Sequence, residues 1–205
     1  MKRLAISAIM LLSIIIGNAQ ATANISFKDC DDPSVASMLR ALNGYQIKAT
    51  IKGTNPDARF YELWLVKNHE GQLSRKLYGF IPAGTDSTEI VFTSIPSDSL
   101  NAYISTYPPV AMRHTMHLPT ASCILIECVK EGGYAPEDTI PLVAYSTGKP
   151  TKYDLGNGAV VNGFDICGVR YSGTHPSQWH IKFGIRDCYY MEAIPAKAID
   201  YTKLK

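Results

Sequence analysis

The sequence predicts a mostly β protein: an antiparallel β-sandwich, immunoglobulin-like or similar, arranged as two modules behind one short N-terminal helix. Three observations carry that expectation. From Tyr45 onward apolar and polar residues alternate with a period of two, as a half-buried strand requires,. Turn clusters at residues 53–57, 68–71, 96–99 and 156–158 follow one another too closely for helical crossovers between parallel strands,. Only one stretch, from Asp32 to Gly44, carries both helix start and helix stop signals,.

Residues 1–21 stand apart from this pattern. Lys2 and Arg3 supply a basic start, an apolar run too short to span a bilayer follows, and Ala19-Gln20-Ala21 forms a small-x-small cleavage site,. A cleaved signal peptide therefore directs the chain to a periplasm or outside the cell. In the next segment, 22–44, Asp32 suits an N-cap, Pro33 the first helical position and Asn43-Gly44 the stop,. Val35, Met38, Leu39 and Leu42 form one apolar stripe, expected to lie against a sheet.

The first β module is expected over residues 45–107. Strands are read at 45–52, 60–67, 72–81, 88–95 and 100–107, with the 68–71 connection as a hairpin,. A proline-rich crossover at 108–120 contains Pro108, Pro109 and Pro119, which cannot donate to a ladder,. A second module over 121–195 has strands at 122–130, 139–145, 152–155, 164–171 and 178–194, and Asn162-Gly163 reads as a turn. Trp179, Ile181, Phe183 and Ile185 share one face if the last strand is regular. The tail, 196–205, has little to pack and is expected to be mobile. An echo of Leu65-Val66-Lys67 and Gly71 in Cys128-Val129-Lys130 and Gly133 is compatible with two related modules.

Charge and cysteine usage bound the function. Removing the leader leaves 18 basic against 18 acidic residues. A neutral chain without a basic run lacks the surface that nucleic acid requires and the polybasic patch that holds an anionic membrane. With no second apolar stretch of spanning length, no membrane insertion is expected once the leader is removed. All five cysteines lie beyond the leader, and an oxidising compartment favours disulfides,. Cys123 and Cys128 diverge across a strand and should not pair with each other; Cys167 with Cys188 is the preferred bridge, because both lie on expected strands of the last third. Their face parities disagree, so this pairing needs a bulge at Gly184.

Chemical motifs are sparse. His114 and His117 with Cys123 and Cys128 lack zinc-site spacing. Asp29, Asp31 and Asp32 lack the glycine and distal glutamate of a calcium hand. Ser146-Thr147-Gly148-Lys149 lacks the first glycine and the hydroxyl of a phosphate loop, and no Gly-x-Ser-x-Gly or Cys-x-x-Cys exists,. No catalytic residue, metal or cofactor is assigned, and the balance leans away from an enzyme. What stands out is twelve tyrosines. Tyr gives rigid contact area with a polar edge, so Tyr103 and Tyr107 are candidate ligand-binding residues, with Tyr189 and Tyr190 as a second patch.

The leader ending Gly17-Asn18-Ala19-Gln20-Ala21, ahead of a small β-rich chain, resembles the uncharacterised exported β-rich proteins of Bacteroides-type bacteria. Tyr45-Gln46-Ile47-Lys48-Ala49-Thr50-Ile51-Lys52-Gly53 is similar to the opening strand of β domains that precede thioredoxin modules in that group. The resemblance implies provenance and carries over no catalytic residue. The function expected is a non-enzymatic binding or interaction protein of the cell envelope, with a protein or a glycan as ligand. A secreted hydrolase using carboxylates or a Cys-His pair, and a structural subunit of a surface assembly, are the alternatives.

Overall fold

The computed structural model describes residues 23–204 apart from 54, 56, 99, 108–111 and 121. The expected leader, Pro108-Pro109 and the side chain of Tyr107 lie outside the described residues. In chain order the elements are β1 (Asn24–Asp29), α1 (Pro33–Ala41), β2 (Tyr45–Lys52), β3 (Phe60–His69), β4 (Gln72–Pro82), β5 (Ser87–Pro96) and β6 (Asn101–Tyr107). They continue with β7 (Met112–His117), β8 (Ile124–Glu127), β9 (Ile140–Ser146), β10 (Lys149–Asp154) and β11 (Val160–Asp165). Two short helices, α2 (Cys167–Arg170) and α3 (Trp179–Phe183), precede the last strand, β12 (Asp187–Ala196).

These strands form two five-stranded antiparallel sheets and a separate hairpin. Sheet 1 has the order β1-β2-β5-β6-β7 and sheet 2 the order β4-β3-β12-β9-β8, and among the described residues β10 pairs only with β11. The alternation of β2 explains the first interface: Ile47, Ala49 and Ile51 are buried, and Ile90, Phe92, Ala102 and Ile104 continue that face. Tyr61, Leu63, Leu65, Leu142, Met191 and Ala193 of sheet 2 join them in one core. Burying each such large side chain contributes about 1.5–3 kcal/mol.

Sheet 2 crosses the proline-rich stretch. β12 pairs with β3 from Asp187↔His69 to Ala196↔Phe60, so strands from both expected modules, 45–107 and 121–195, lie in one sheet. Within that stretch the chain also forms β7, paired with β6. Its prolines fall outside the six residues of the strand, which is why they do not interrupt the ladder.

Local signals account for several joints. The Asp32 carboxylate accepts from the N–H groups of Ser34 (2.8 Å) and Val35 (3.2 Å), and Pro33 opens α1. Only Leu39 of the predicted stripe is buried; Val35, Met38 and Leu42 are exposed. The expectation of a packed stripe fails because nine residues reach β2 and little else. Glu70 and Gly71 both take positive φ in the two-residue turn between β3 and β4, the geometry that follows strand twist.

A register shift leaves Tyr78 as the extra residue of a bulge on β4,. Its hydroxyl donates to the Met112 carbonyl (2.6 Å) and also reaches the Ile104 carbonyl (3.2 Å). It thereby ties the edge of sheet 2 to the edge of sheet 1. Burial pushes the Tyr78 phenol up to about 12, so it remains a donor across the physiological range.

The last third departs from expectation. Asn162-Gly163 sits inside β11 rather than in a turn, and residues 167–183 are helical turns rather than strands. Trp179 is 1% exposed and Ile181 84% exposed, because a helix rather than a strand separates them. This segment covers the outer face of sheet 2, where Val169, Trp179 and Ile185 pack with Val66, Ala144, Cys188 and Tyr190. The Asn68 amide anchors it by donating to the carbonyls of Pro176 (3.1 Å) and Ser177 (3.2 Å). In the tail, the Lys203 ammonium donates to the buried Glu62 carboxylate at 2.7 Å.

The expected Cys167–Cys188 bridge does not form, and all five cysteines are free. Cys167 is exposed at the start of α2, whereas Cys188 is buried on β12 beneath Pro176. Burial pushes Cys123 up to about 11 and Cys188 up to about 12, and raises Cys128 well above the ordinary thiol range. Such thiols stay protonated and inert at neutral pH.

A thiol reagent at pH 7.5 is expected to label Cys167 fast and Cys30 more slowly, with Cys123, Cys128 and Cys188 reacting only on unfolding. Peptide mass mapping checks this. Tyr78→Phe is expected to cost about 1–2 kcal/mol in urea unfolding, because two carbonyls lose their donor.

Candidate functional site

The predicted ligand tyrosines with described side chains, Tyr103, Tyr189 and Tyr190, do not converge. Tyr103, on the outer face of sheet 1, is half-buried with the Arg113 guanidinium stacked on its ring at 3.8 Å. Tyr189 and Tyr190 point to opposite faces of sheet 2, as neighbours on a strand must. Tyr189 packs against the main core with Lys67 5.8 Å from its ring. Tyr190 is buried beneath the helical segment, edge-on to His175 at 5.5 Å. A shared Tyr189-Tyr190 surface patch is thereby corrected.

Polar side chains that sequence reading passed over gather on the outer face of sheet 2. Glu62 on β3 is buried, accepting from the Trp64 indole N–H (3.0 Å) and from Lys203 (2.7 Å). The Arg75 guanidinium lies over the Trp64 ring at 4.6 Å. Glu192, opposite Trp64 on β12, is buried with Arg75 Nη1 at 3.9 Å and His175 Nε2 at 3.8 Å. Both distances exceed a hydrogen bond, so burial dominates and raises the Glu192 carboxyl above its usual range, with Arg75 pulling it back. Burial likewise lowers His175, whose Nδ1 lies 2.8 Å from the Ser177 hydroxyl. A cavity of about 220 Å³ adjoins His175, lined by Lys130, Tyr134, Asp138 and Pro141. Two glutamates two positions apart along neighbouring strands give no sequence signal, because only the β3–β12 register brings them together.

The β10–β11 hairpin stands away from both sheets. Residues pair from Lys149↔Asp165 to Asp154↔Val160, and Gly156, Asn157 and Gly158 all take positive φ in the connection. That Gly-Asn-Gly run is the legible signal for this hairpin, and the strand after it spans Val160–Asp165 rather than 164–171. The Leu155 N–H donates to the Ala159 carbonyl, so odd positions of β11 bond toward β10 and Val160, Asn162 and Phe164 turn their backbone outward. Tyr153 covers Gly163 and its hydroxyl donates to the Phe164 carbonyl at 3.1 Å.

Large apolar groups lie open on both faces of this ribbon. Tyr153 and Val161 are exposed on one face, Val160 and Phe164 on the other, and Leu155 at the tip is 64% exposed. Beside Phe164 lies a cavity of about 290 Å³, lined also by Pro150, Lys152 and Asn162. The two edges differ. β10 carries Lys149, Pro150 and Lys152, residues that discourage strand addition, whereas β11 has neither lysine nor proline,.

No family model, curated protein or solved structure matches this chain. Among the described residues, no helix is long and apolar enough to cross a membrane.

The sign of the Glu192 effect follows from its raised value. Folding favours the protonated carboxyl, so the burial penalty is present above the raised value and disappears as pH falls toward 4.5, the ordinary glutamate value,. Glu192→Gln is expected to raise the thermal midpoint at pH 8 and to lose that advantage at pH 4, as measured by calorimetry across the range.

Proposed function

We propose that this chain is an exported, non-enzymatic binding protein of the cell envelope that takes a protein partner on the β10–β11 hairpin. The observation that carries the reading is the exposure of Tyr153, Leu155, Val160, Val161 and Phe164 on a ribbon that neither sheet covers. A two-stranded hairpin alone is marginally stable in water, so its apolar groups gain most when a second surface covers them. Full burial of each is worth about 1.5–3 kcal/mol. The outward N–H and C=O groups of Val160 and Asn162 and the Phe164 N–H add a means of recognition, since an extended segment can pair with them as a further strand,. The export half of the proposal rests on the basic start, apolar run and cleavage site of residues 1–21.

The hydrolase alternative finds less support. Both Glu62 oxygens are already held by Trp64 and Lys203 of the same chain, which describes a structural network rather than an acid waiting for substrate. The assembly-subunit alternative shares the open β11 edge and differs in its partner, a second copy of this chain.

A photo-crosslinking residue at position 161 is expected to give a discrete protein adduct in cells, and the same residue at Lys52 none. Adding Val160→Lys and Phe164→Lys is expected to abolish the adduct while stability changes by no more than about 0.5 kcal/mol, the usual range for surface substitutions. An adduct with the mass of two copies supports the assembly reading, and no adduct along the hairpin overturns the proposal.

A further inference from the structure

On the side of the sandwich where β4 and β7 form the facing edges, a groove of about 320 Å³ runs between the two sheets. Leu65 and Leu77 line its apolar part, while Lys76, Arg113 and His114 line the rest with no carboxylate among them. Lys76 lies opposite Leu65, and His114 opposite Ile104, so both are on the strand faces that look into the space between the sheets. Neither Lys76 nor Arg113 meets a carboxylate in an ion pair among the described residues. Arg113 borders the groove from the β7 edge with its guanidinium stacked on Tyr103 on the outer face of sheet 1, which fixes its position and leaves its charge uncompensated,. Burial, and after it the neighbouring Lys76, holds His114 below the ordinary imidazole value, so the ring is a neutral part of the lining and the cations are Lys76 and Arg113.

Backbone geometry adds a second constraint. The Leu118 N–H donates to the Leu100 carbonyl, so along this ladder the even residues of β7 bond toward β6. Arg113, Thr115 and His117 therefore turn their N–H and C=O groups away from β6. No described strand pairs with that side of β7.

We infer that this groove and the adjoining edge of β7 bind an acidic peptide segment in extended conformation, with its backbone added to the outer edge of β7 and its carboxylates reaching Lys76 on one face of that added strand and Arg113 on the other. Charge complementarity selects an anion, and the open ladder favours a peptide over a sugar polymer, which has no row of amides to offer. β4 is three strands from β9, which leads into the hairpin, so this site is separate from the protein-binding hairpin and does not depend on it.

The test uses the full mature chain and a short peptide of Glu-Glu-Thr repeats, whose neighbouring glutamates face both sides of an added strand, titrated by calorimetry at low salt and followed by amide hydrogen exchange. Binding is expected for this peptide and not for its Gln-Gln-Thr counterpart, with slowed exchange at Thr115 and His117. Lys76→Gln with Arg113→Gln is expected to weaken binding about tenfold, equivalent to about 1.4 kcal/mol. Lys48→Gln with Lys52→Gln, an equal charge change on the outer face of sheet 1, is expected to change it less than twofold. Equal losses in both double variants would overturn the proposal, as would absence of binding. So would capture of an oligouronate with no change in exchange at Thr115. Lys76, Arg113 and Lys52 are exposed and Lys48 is half-buried beside Glu89, and an unchanged thermal midpoint confirms that each variant is folded.

Discussion

The constraint on which the structure rests is that sheet 2 must be covered on both faces. Every residue of β9, Ile140 to Ser146, is buried, and such a strand cannot present a wet side. Sheet 1 supplies one cover. The other comes from residues 167–185, with Trp179 as its largest fully buried side chain. Because that cover is short and irregular, polar ties hold it as well as apolar packing. Asn68 bonds the carbonyls of Pro176 and Ser177, and the Trp179 indole donates to the Thr174 carbonyl at 2.8 Å. Removal of either tie would leave a buried polar group unpaired, which costs more than the bond contributes.

This requirement also explains where the sequence misled. An apolar run such as 139–145 announces a strand buried on both sides, and its bounds are close to those of β9. It does not announce which segment lies above it. Trp179, Ile181, Phe183 and Ile185 alternate like a strand, yet a five-residue helix is too short to display a 3.6-residue period. Better signals were present: Pro176 at the head of the turn and Gly184, which closes α3 with a positive φ of 69°,. The N-terminal half was read more closely because its elements are long enough to declare their period. β2 occupies residues 45–52 as expected, and Asp32 caps α1. What local pattern could not contain was the pairing of β12 with β3, a contact between chain ends that decides which strands share a sheet. The same pairing sets Glu192 opposite Trp64, which is why that polar network had no motif to betray it.

The cysteines follow the same logic. Spacing and compartment argued for a bridge, but a disulfide needs two side chains aimed at one another. Cys188 points into the core beneath the helical segment, and Cys167 has been carried outside by the turn that begins there. Protection by burial takes the place of a covalent staple. The core that supplies it is large enough, since two five-stranded sheets share one apolar cluster and sheet 2 adds a second on its outer side.

Covering sheet 2 twice leaves few places for recognition. Its outer face is occupied by its own chain, and the outer face of sheet 1 carries Gln46, Lys48 and Thr50 between buried neighbours, a polar surface with no reason to seek another protein. What remains are strand edges and the hairpin. Edges are normally guarded, because unpaired N–H and C=O groups invite addition. β10 follows that rule with Pro150 and two lysines, and β11 breaks it while exposing Val160 and Phe164. At the opposite side Tyr78 closes one part of the gap between β4 and β7 by bonding across it. Beyond that stitch the groove carries cations and an open ladder. A chain that guards some edges and leaves others both unguarded and chemically distinctive has concentrated its capacity for contact there, and the apolar ribbon and the cationic groove select different partners.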